Sequence, residues 1–180
     1  MNPKKIVITG GPGTGKTSLI NKIEEDGHSC LHEISRSVTL EARAAGIEQL
    51  FVSHPLLFSQ KLLEGRIKQH QEASAFMGDT IFLDRGIPDV VAYMDCFGET
   101  YDSSFSKACQ EHPYEKIFLL PPWEEIYVSD NERFENYEQA VLIHEALYNT
   151  YSSLGYDIVL VPKDSVENRV AFIYKALNLE

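Results

Sequence analysis

The segment Gly10 to Thr17, GGPGTGKT, constrains this chain more than any other. Gly10, Gly15, Lys16 and Thr17 satisfy G-x-x-x-x-G-K-[ST]. The pattern stands directly after the apolar run Ile6 to Ile8 and directly before a helical pattern through Leu19, Ile20 and Ile23. Strand, loop and helix in that order are the context the motif requires. Glycines let the backbone curl so that successive N–H groups face one concavity, and the following helix N-terminus adds positive potential. A concavity of that kind fits phosphate groups. Gly11, Pro12, Gly13, Thr14, Gly15, Lys16, Thr17 and Ser18 are therefore the expected nucleotide-binding stretch. Lys16 supplies a mobile cation for the outer phosphates, and Thr17 a hydroxyl for Mg²⁺.

The rest of the chain repeats the strand-then-helix theme. Short runs rich in branched or aromatic residues recur at Cys30 to Ile34, Ile81 to Leu83, Ile117 to Leu120 and Ile158 to Val161, with longer helical patterns between them. This alternation predicts an α/β domain whose parallel sheet is covered on both faces. Gly27 is a natural left-handed stop for the first helix, and Gly46 for a second carrying Val38, Ala42 and Ala45. A long helix is predicted from about Pro55 to Phe76, with Pro55 in its first turn. Ala140, Ile143, Leu147, Tyr151 and Leu154 repeat at helical spacing, as do Val166, Val170, Ile173 and Leu177, with Asp164 and Glu167 as a capping box for the last helix. With 180 residues, 43% hydrophobic, and no divisible linker, the expectation is one domain over 1–180.

A second acid follows the third strand. Ile81-Phe82-Leu83 leads to Asp84, delivered to the C-terminal edge of the sheet, where open α/β folds bind ligands. Asp84 is a candidate Mg²⁺ ligand together with Thr17. The next residue is Arg85, where energy-coupling ATPases carry a Glu that polarises water. An Arg there stabilises transferred charge rather than generating a nucleophile from water. Strand two ends in His32-Glu33-Ile34-Ser35-Arg36, which brings Glu33 and Arg36 to the same edge as candidate acceptor-side residues. Glu33 is a candidate for taking a proton, binding substrate or serving the Mg²⁺ shell. Its alternative is a structural role, pairing with Arg36 or capping the next helix. Arg66 is a further substrate-side candidate, although Lys61, Glu64 and Lys68 around it read as an exposed charged face. Cys30 and His32 read as strand packing rather than metal ligands.

GGPGTGKT, an acid at the end of strand two and FLDRG together resemble the nucleoside and nucleotide kinase group. The layout from Leu57 to Tyr93 is similar to thymidylate and deoxynucleoside kinases. The whole chain, including LLPPWEEIYVSDNER and LGYDIVLVP, resembles a family of small predicted ATPases, the AAA-domain and nicotinamide riboside kinase-like group. The resemblance implies the three-layer P-loop NTPase fold, with a five-stranded parallel sheet in order 2-3-1-4-5 and a short lid. It makes SDNERFEN, residues 129–136, that lid, and Arg133 a residue that closes over the nucleotide. It implies ATP as phosphoryl donor and Mg²⁺ as cofactor. This chain departs from deoxynucleoside kinases in having Gly86, not Ser, after its acid–Arg pair, and only Arg133 in the lid.

Charge narrows the partners. Lys and Arg number 16 against 27 Asp and Glu, a formal net charge of -11. Nucleic acid would be repelled by most of such a surface. No apolar stretch reaches the roughly 18 residues that span a bilayer, and no signal-type leader precedes Ile6, so a cytoplasmic setting is expected. Three cysteines without CxxC spacing fit a reducing compartment. The favoured function is transfer of the γ-phosphoryl of ATP to a small molecule such as a nucleoside or nucleotide, through Lys16, Glu33, Arg85 and Arg133. The alternative is a nucleotide-binding switch or slow NTPase, ATP or GTP, acting through a partner protein. The guanine-reading N-K-x-D pattern is missing, because Asn21-Lys22 continues as Ile23-Glu24. Homodimerisation is left open.

Overall fold

Strand residues alternate between two apolar cores, and this alternation builds the molecule. A computed structural model describes residues 2–127 and 136–179. In chain order the elements are β1 (Lys4–Gly10), α1 (Lys16–Glu25), β2 (Ser29–Leu31), α2 (Ser35–Ala44), α3 (Leu50–Ser53), α4 (Pro55–Ser74) and β3 (Thr80–Asp84). They continue as α5 (Ile87–Cys96), α6 (Ser103–Glu111), β4 (Lys116–Leu120), α7 (Tyr137–Ser153), β5 (Ile158–Leu160) and α8 (Val166–Leu177). The strands pair in parallel in the order β2-β3-β1-β4-β5. Ile6, Ile8, Phe82, Phe118 and Leu120 face one side, where Leu19, Ile20 and Ile23 of α1 and Val170 and Ile173 of α8 cover them. Val7, Ile81, Leu83, Ile117 and Leu119 face the other, against Ala73 of α4, Ala92 of α5 and Ile143, Leu147 and Tyr151 of α7. Period-two alternation across a twice-covered sheet is what continuously apolar strands imply. The expected order and layering are thus the observed ones. Among the described residues no helix is long and apolar enough to cross a membrane.

Two local expectations are corrected. Strand two, expected to run to Ile34, stops at Leu31. The Glu33 carboxylate accepts the N–H groups of Ile34 and Ser35 at 2.9 and 3.1 Å, so local side-chain bonding takes the backbone away from the ladder. The last helix is capped by Ser165, whose hydroxyl accepts from Asn168 N at 3.2 Å, and not by an Asp164–Glu167 box. Asp164 instead accepts from Ser165 N and from the Asn168 amide, at 2.6 and 2.9 Å. Finally, helical periodicity does not announce α5, since it is buried nearly all round and lacks a polar stripe.

Parallel pairing sets the site by carrying Gly10, Asp84 and Leu120 to one edge, with Gly10 opposite Leu120 and Ile8 opposite Asp84. The close approach is strict at Gly10, where an added Cβ would lie 2.9 Å from the Leu120 carbonyl oxygen and 3.0 Å from its Cβ. Gly10→Ala is expected to cost about 1–3 kcal/mol through overpacking against backbone that cannot yield. Urea denaturation of the two proteins measures it.

Candidate active site

The glycine-rich loop between β1 and α1 forms an open-mouthed backbone cradle. Gly13 and Gly15 adopt φ of 71° and 76°, a left-handed conformation that side chains resist. No side chain caps α1 at Gly15, which leaves the first-turn N–H groups of the helix facing the cradle. Thr14 is turned inward, its hydroxyl donating to the Gly11 carbonyl at 3.0 Å. Lys16 is buried, whereas Thr17 and Ser18 stand exposed at the rim.

Lys16 pairs with Asp84 across the edge between α1 and β3, and both side chains are largely buried. Burial lowers the pKa of Lys16, and the nearby Arg85 adds to the effect, against the pull of Asp84 and Glu33. The chain then turns sharply at Arg85, which takes φ of 76° and anchors its N–H on the Ile8 carbonyl at 2.9 Å. A left-handed backbone costs a non-glycine residue roughly 1–2 kcal/mol. In return the Arg85 side chain folds back over the edge. Its Nε meets Glu33, its Nη1 lies 3.3 Å from Asp89 Oδ1, and its guanidinium carbon sits 5.4 Å from the Tyr93 ring centroid.

Glu33 is held from four directions. Ile34 N and Ser35 N donate to Oε1, Arg66 Nη2 donates to the same oxygen at 2.9 Å, and Arg85 occupies Oε2. Burial opposes its ionisation, but Arg66, Arg85, Lys16 and the Ser35 N–H outweigh it and bring its pKa down to about 2. Beneath this pair, Asp89 is a buried hub. It accepts from Thr9 Oγ1 at 2.5 Å, Tyr151 OH at 2.5 Å and Gly86 N at 3.0 Å, besides Arg85.

A family model described as an AAA domain matches residues 5–169. The chain belongs to this AAA-domain family. No curated protein sequence matches it. Among solved structures, deoxyadenosine kinase from M. mycoides aligns with a TM-score of 0.71 at 16% identity, over 97% of this chain and 98% of its own. Thymidylate kinase from Candida albicans aligns with a TM-score of 0.71 at 16% identity, over 98% and 92%. A NadR protein in complex with NR aligns with a TM-score of 0.78 at 16% identity, over 99% of this chain and 52% of its own, so this chain spans about half of NadR. The fold of the AAA-domain chain is therefore the P-loop kinase fold shared by these proteins.

Sequence reading and structure meet at this edge in an uneven way. Gly11 to Ser18, Glu33, Asp84 and Arg85 gather there. Arg66 joins them from an unexpected direction: it is 3% exposed rather than part of a solvated face, and reaches Glu33 from inside α4. Its Nε and Nη1 are buried without hydrogen-bond partners. Arg36 is exposed on the first turn of α2. Arg133 and most of the expected lid lie outside the described residues. Asp89 was missed, although its position three residues after Gly86 matches capping-box spacing, and its side chain does accept from Gly86 N. Arg169 and Trp123 were missed as well.

Because folding lowers the Glu33 pKa from an ordinary 4.5 to about 2, the carboxylate contributes stability above pH 4.5 that is lost as pH falls toward 2. Glu33→Gln is expected to be less stable than the parent near pH 6, with the difference shrinking as pH falls through that window. Chemical denaturation at stepped pH checks this.

Proposed function

We propose that this chain is a P-loop phosphotransferase that moves the γ-phosphoryl of Mg·ATP to a small metabolite, a nucleoside, nucleotide or similar compound. The observation that carries the reading is the meeting of two groups at one sheet edge: the Lys16–Asp84 pair at the cradle and the Glu33–Arg85–Arg66 cluster beside it. In phosphoryl transfer nearly all the acceleration comes from alignment and from stabilising charge on the transferring group. Arg85 serves the second purpose, and the strained turn and its contacts with Glu33 and Asp89 fix its direction in advance. The residue after Asp84 is this arginine, not an acid that would activate water, which favours transfer over hydrolysis.

Each remaining residue has a role in this scheme. The N–H groups of Gly11 to Ser18 hold the donor phosphates, and Lys16 follows the outer ones. Glu33 aims Arg85 and Arg66 toward the acceptor; three of its donors crowd Oε1, and Oε2, which meets Arg85 alone, has acceptor capacity left for a hydroxyl. Arg36, exposed nearby on α2, contacts an anionic part of the acceptor, and Arg133 closes over the nucleotide. Mg²⁺ fits the donor set, since Thr17 and Asp84 offer hard oxygens. Among the described residues no cluster of three His, Cys, Asp or Glu side chains could hold a metal alone. A cation that keeps its waters and takes its other ligands from phosphates suits such a site. When bound it neutralises charge on the outer phosphates. The nucleoside-type acceptor is supported by the shared fold of the deoxyadenosine and thymidylate kinases.

Incubation with Mg·ATP and a panel of nucleosides, nucleotides and related metabolites should yield one phosphorylated product by mass spectrometry. Lys16→Met is expected to lower its formation by roughly a hundredfold or more, and EDTA to abolish it. A panel without any phosphorylated product, from a protein that binds ATP, would argue for the switch or NTPase function.

A further inference from the structure

The buried cations on the β2 and β3 side of the cradle are matched by acids, while Arg36 there is exposed. Lys16, Arg66 and Arg85 meet Asp84, Glu33 and Asp89. Arg169 of α8, on the β4 and β5 side, is different. It is 3% exposed, and among the described residues it forms no ion pair. Its Nη2 donates to the Thr14 carbonyl at 2.9 Å, and its Nε is buried without a partner. Burial pushes its pKa down, as expected for a cation taken from water with no anion beside it.

The position of this guanidinium is specific. Its Nη1 lies 2.9 Å from where a Cβ on Gly15 would stand, so it rests on the shoulder of the cradle at the N-terminus of α1. Its Cζ is 5.9 Å from the centroid of the Trp123 ring, in the segment that leaves β4. Ile126 closes the same shoulder, its Cδ1 3.3 Å from that Gly15 position. Lys16 and Asp84 mark the end of the cradle where the outer phosphates and the metal belong.

We propose that Arg169 is a donor-binding residue that takes a non-bridging oxygen of the nucleotide's phosphate chain at the Thr14–Gly15 side of the cradle, with Trp123 as the platform beside it. The proposal rests on the reading of Gly10 to Thr17 as the donor cradle. The desolvation of Arg169 is already complete in the folded chain, so an arriving phosphate meets a charge that needs no further stripping of water. A charge-assisted bond from Nη1 to phosphate also gives the guanidinium the anion that it lacks among the described residues. The guanidinium suits the position, since its carbon lies within cation–π range of Trp123 while Nη1 and Nη2 lie beside the cradle.

Titration calorimetry with Mg·ADP and Mg·ATP tests this on the full chain and on Arg169→Met, Arg169→Lys and Trp123→Leu, beside thermal melts without nucleotide. Arg169→Met is expected to weaken both nucleotides by about tenfold or more, equally, because the two inner phosphates are common to them. Arg169→Lys should recover part of the loss, and Trp123→Leu should fall between. Removing an unpaired buried charge should leave the nucleotide-free melting midpoint of Arg169→Met unchanged or raised. A merely structural arginine would do the opposite: the midpoint would drop, with nucleotide affinity kept within about twofold, and that result overturns the proposal. If Arg169→Met fails to fold, unchanged affinity in Trp123→Leu overturns it. Failure of the unmodified chain to bind either nucleotide overturns the donor-cradle reading itself, and this inference with it.

Discussion

The Glu33 carboxylate, gripped between Arg66 and Arg85, is the interaction on which the rest of the site depends. Buried ion pairs are costly to form, because desolvation of the charges competes with their attraction. Here the cost is met by multiplicity: two backbone N–H groups and two guanidinium groups share one carboxylate. The same carboxylate ends strand β2 and starts helix α2, so the ion cluster and the local fold are parts of one device. If Glu33 were apolar, Arg85 would keep only Asp89, and Arg66 would be left as a buried charge with no acid partner among the described residues. The cluster thus specifies geometry more than it adds stability.

Formal charge closes on this edge. Three cations, Lys16, Arg66 and Arg85, face three carboxylates, Asp84, Glu33 and Asp89. In a chain of net charge -11, an overall field of this sign would repel a nucleotide. At this edge the buried side-chain charges are paired, and the cradle offers backbone N–H groups whose dipoles act over a short distance. Short-range dipoles are insensitive to net charge, which is why an acidic surface and a phosphate-binding loop are compatible.

What was legible in the sequence is what depends on local pattern. The cradle reads directly, because its glycines, Lys16 and Thr17 act through a contiguous stretch of backbone. Asp84-Arg85 and Glu33 follow from counting strands, since parallel strands deliver their ends to one edge. Arg66 read as a surface residue because its neighbours in sequence are charged, yet the helix turns it inward onto a partner 33 positions away. Asp89 and Arg169 were invisible for a related reason. The first is a hub only once Thr9 and Tyr151 arrive from β1 and α7, and the second touches Thr14 across 155 positions. Strand two is shorter than the run Cys30 to Ile34 suggests, because the Glu33 carboxylate takes the Ile34 and Ser35 N–H groups from the ladder.

The turn at Arg85 has a consequence for how such a protein responds to selection. A left-handed backbone at φ of 76° is comfortable for glycine and strained for arginine, and the residue that suffers the strain is the one that spans the site. Conformational comfort and chemical purpose pull in opposite directions at a single codon. Glycine would relieve about 1–2 kcal/mol of strain, less than the roughly 3–5 kcal/mol lost when one partner of a buried ion pair is removed, so the charge cluster itself holds arginine at this position.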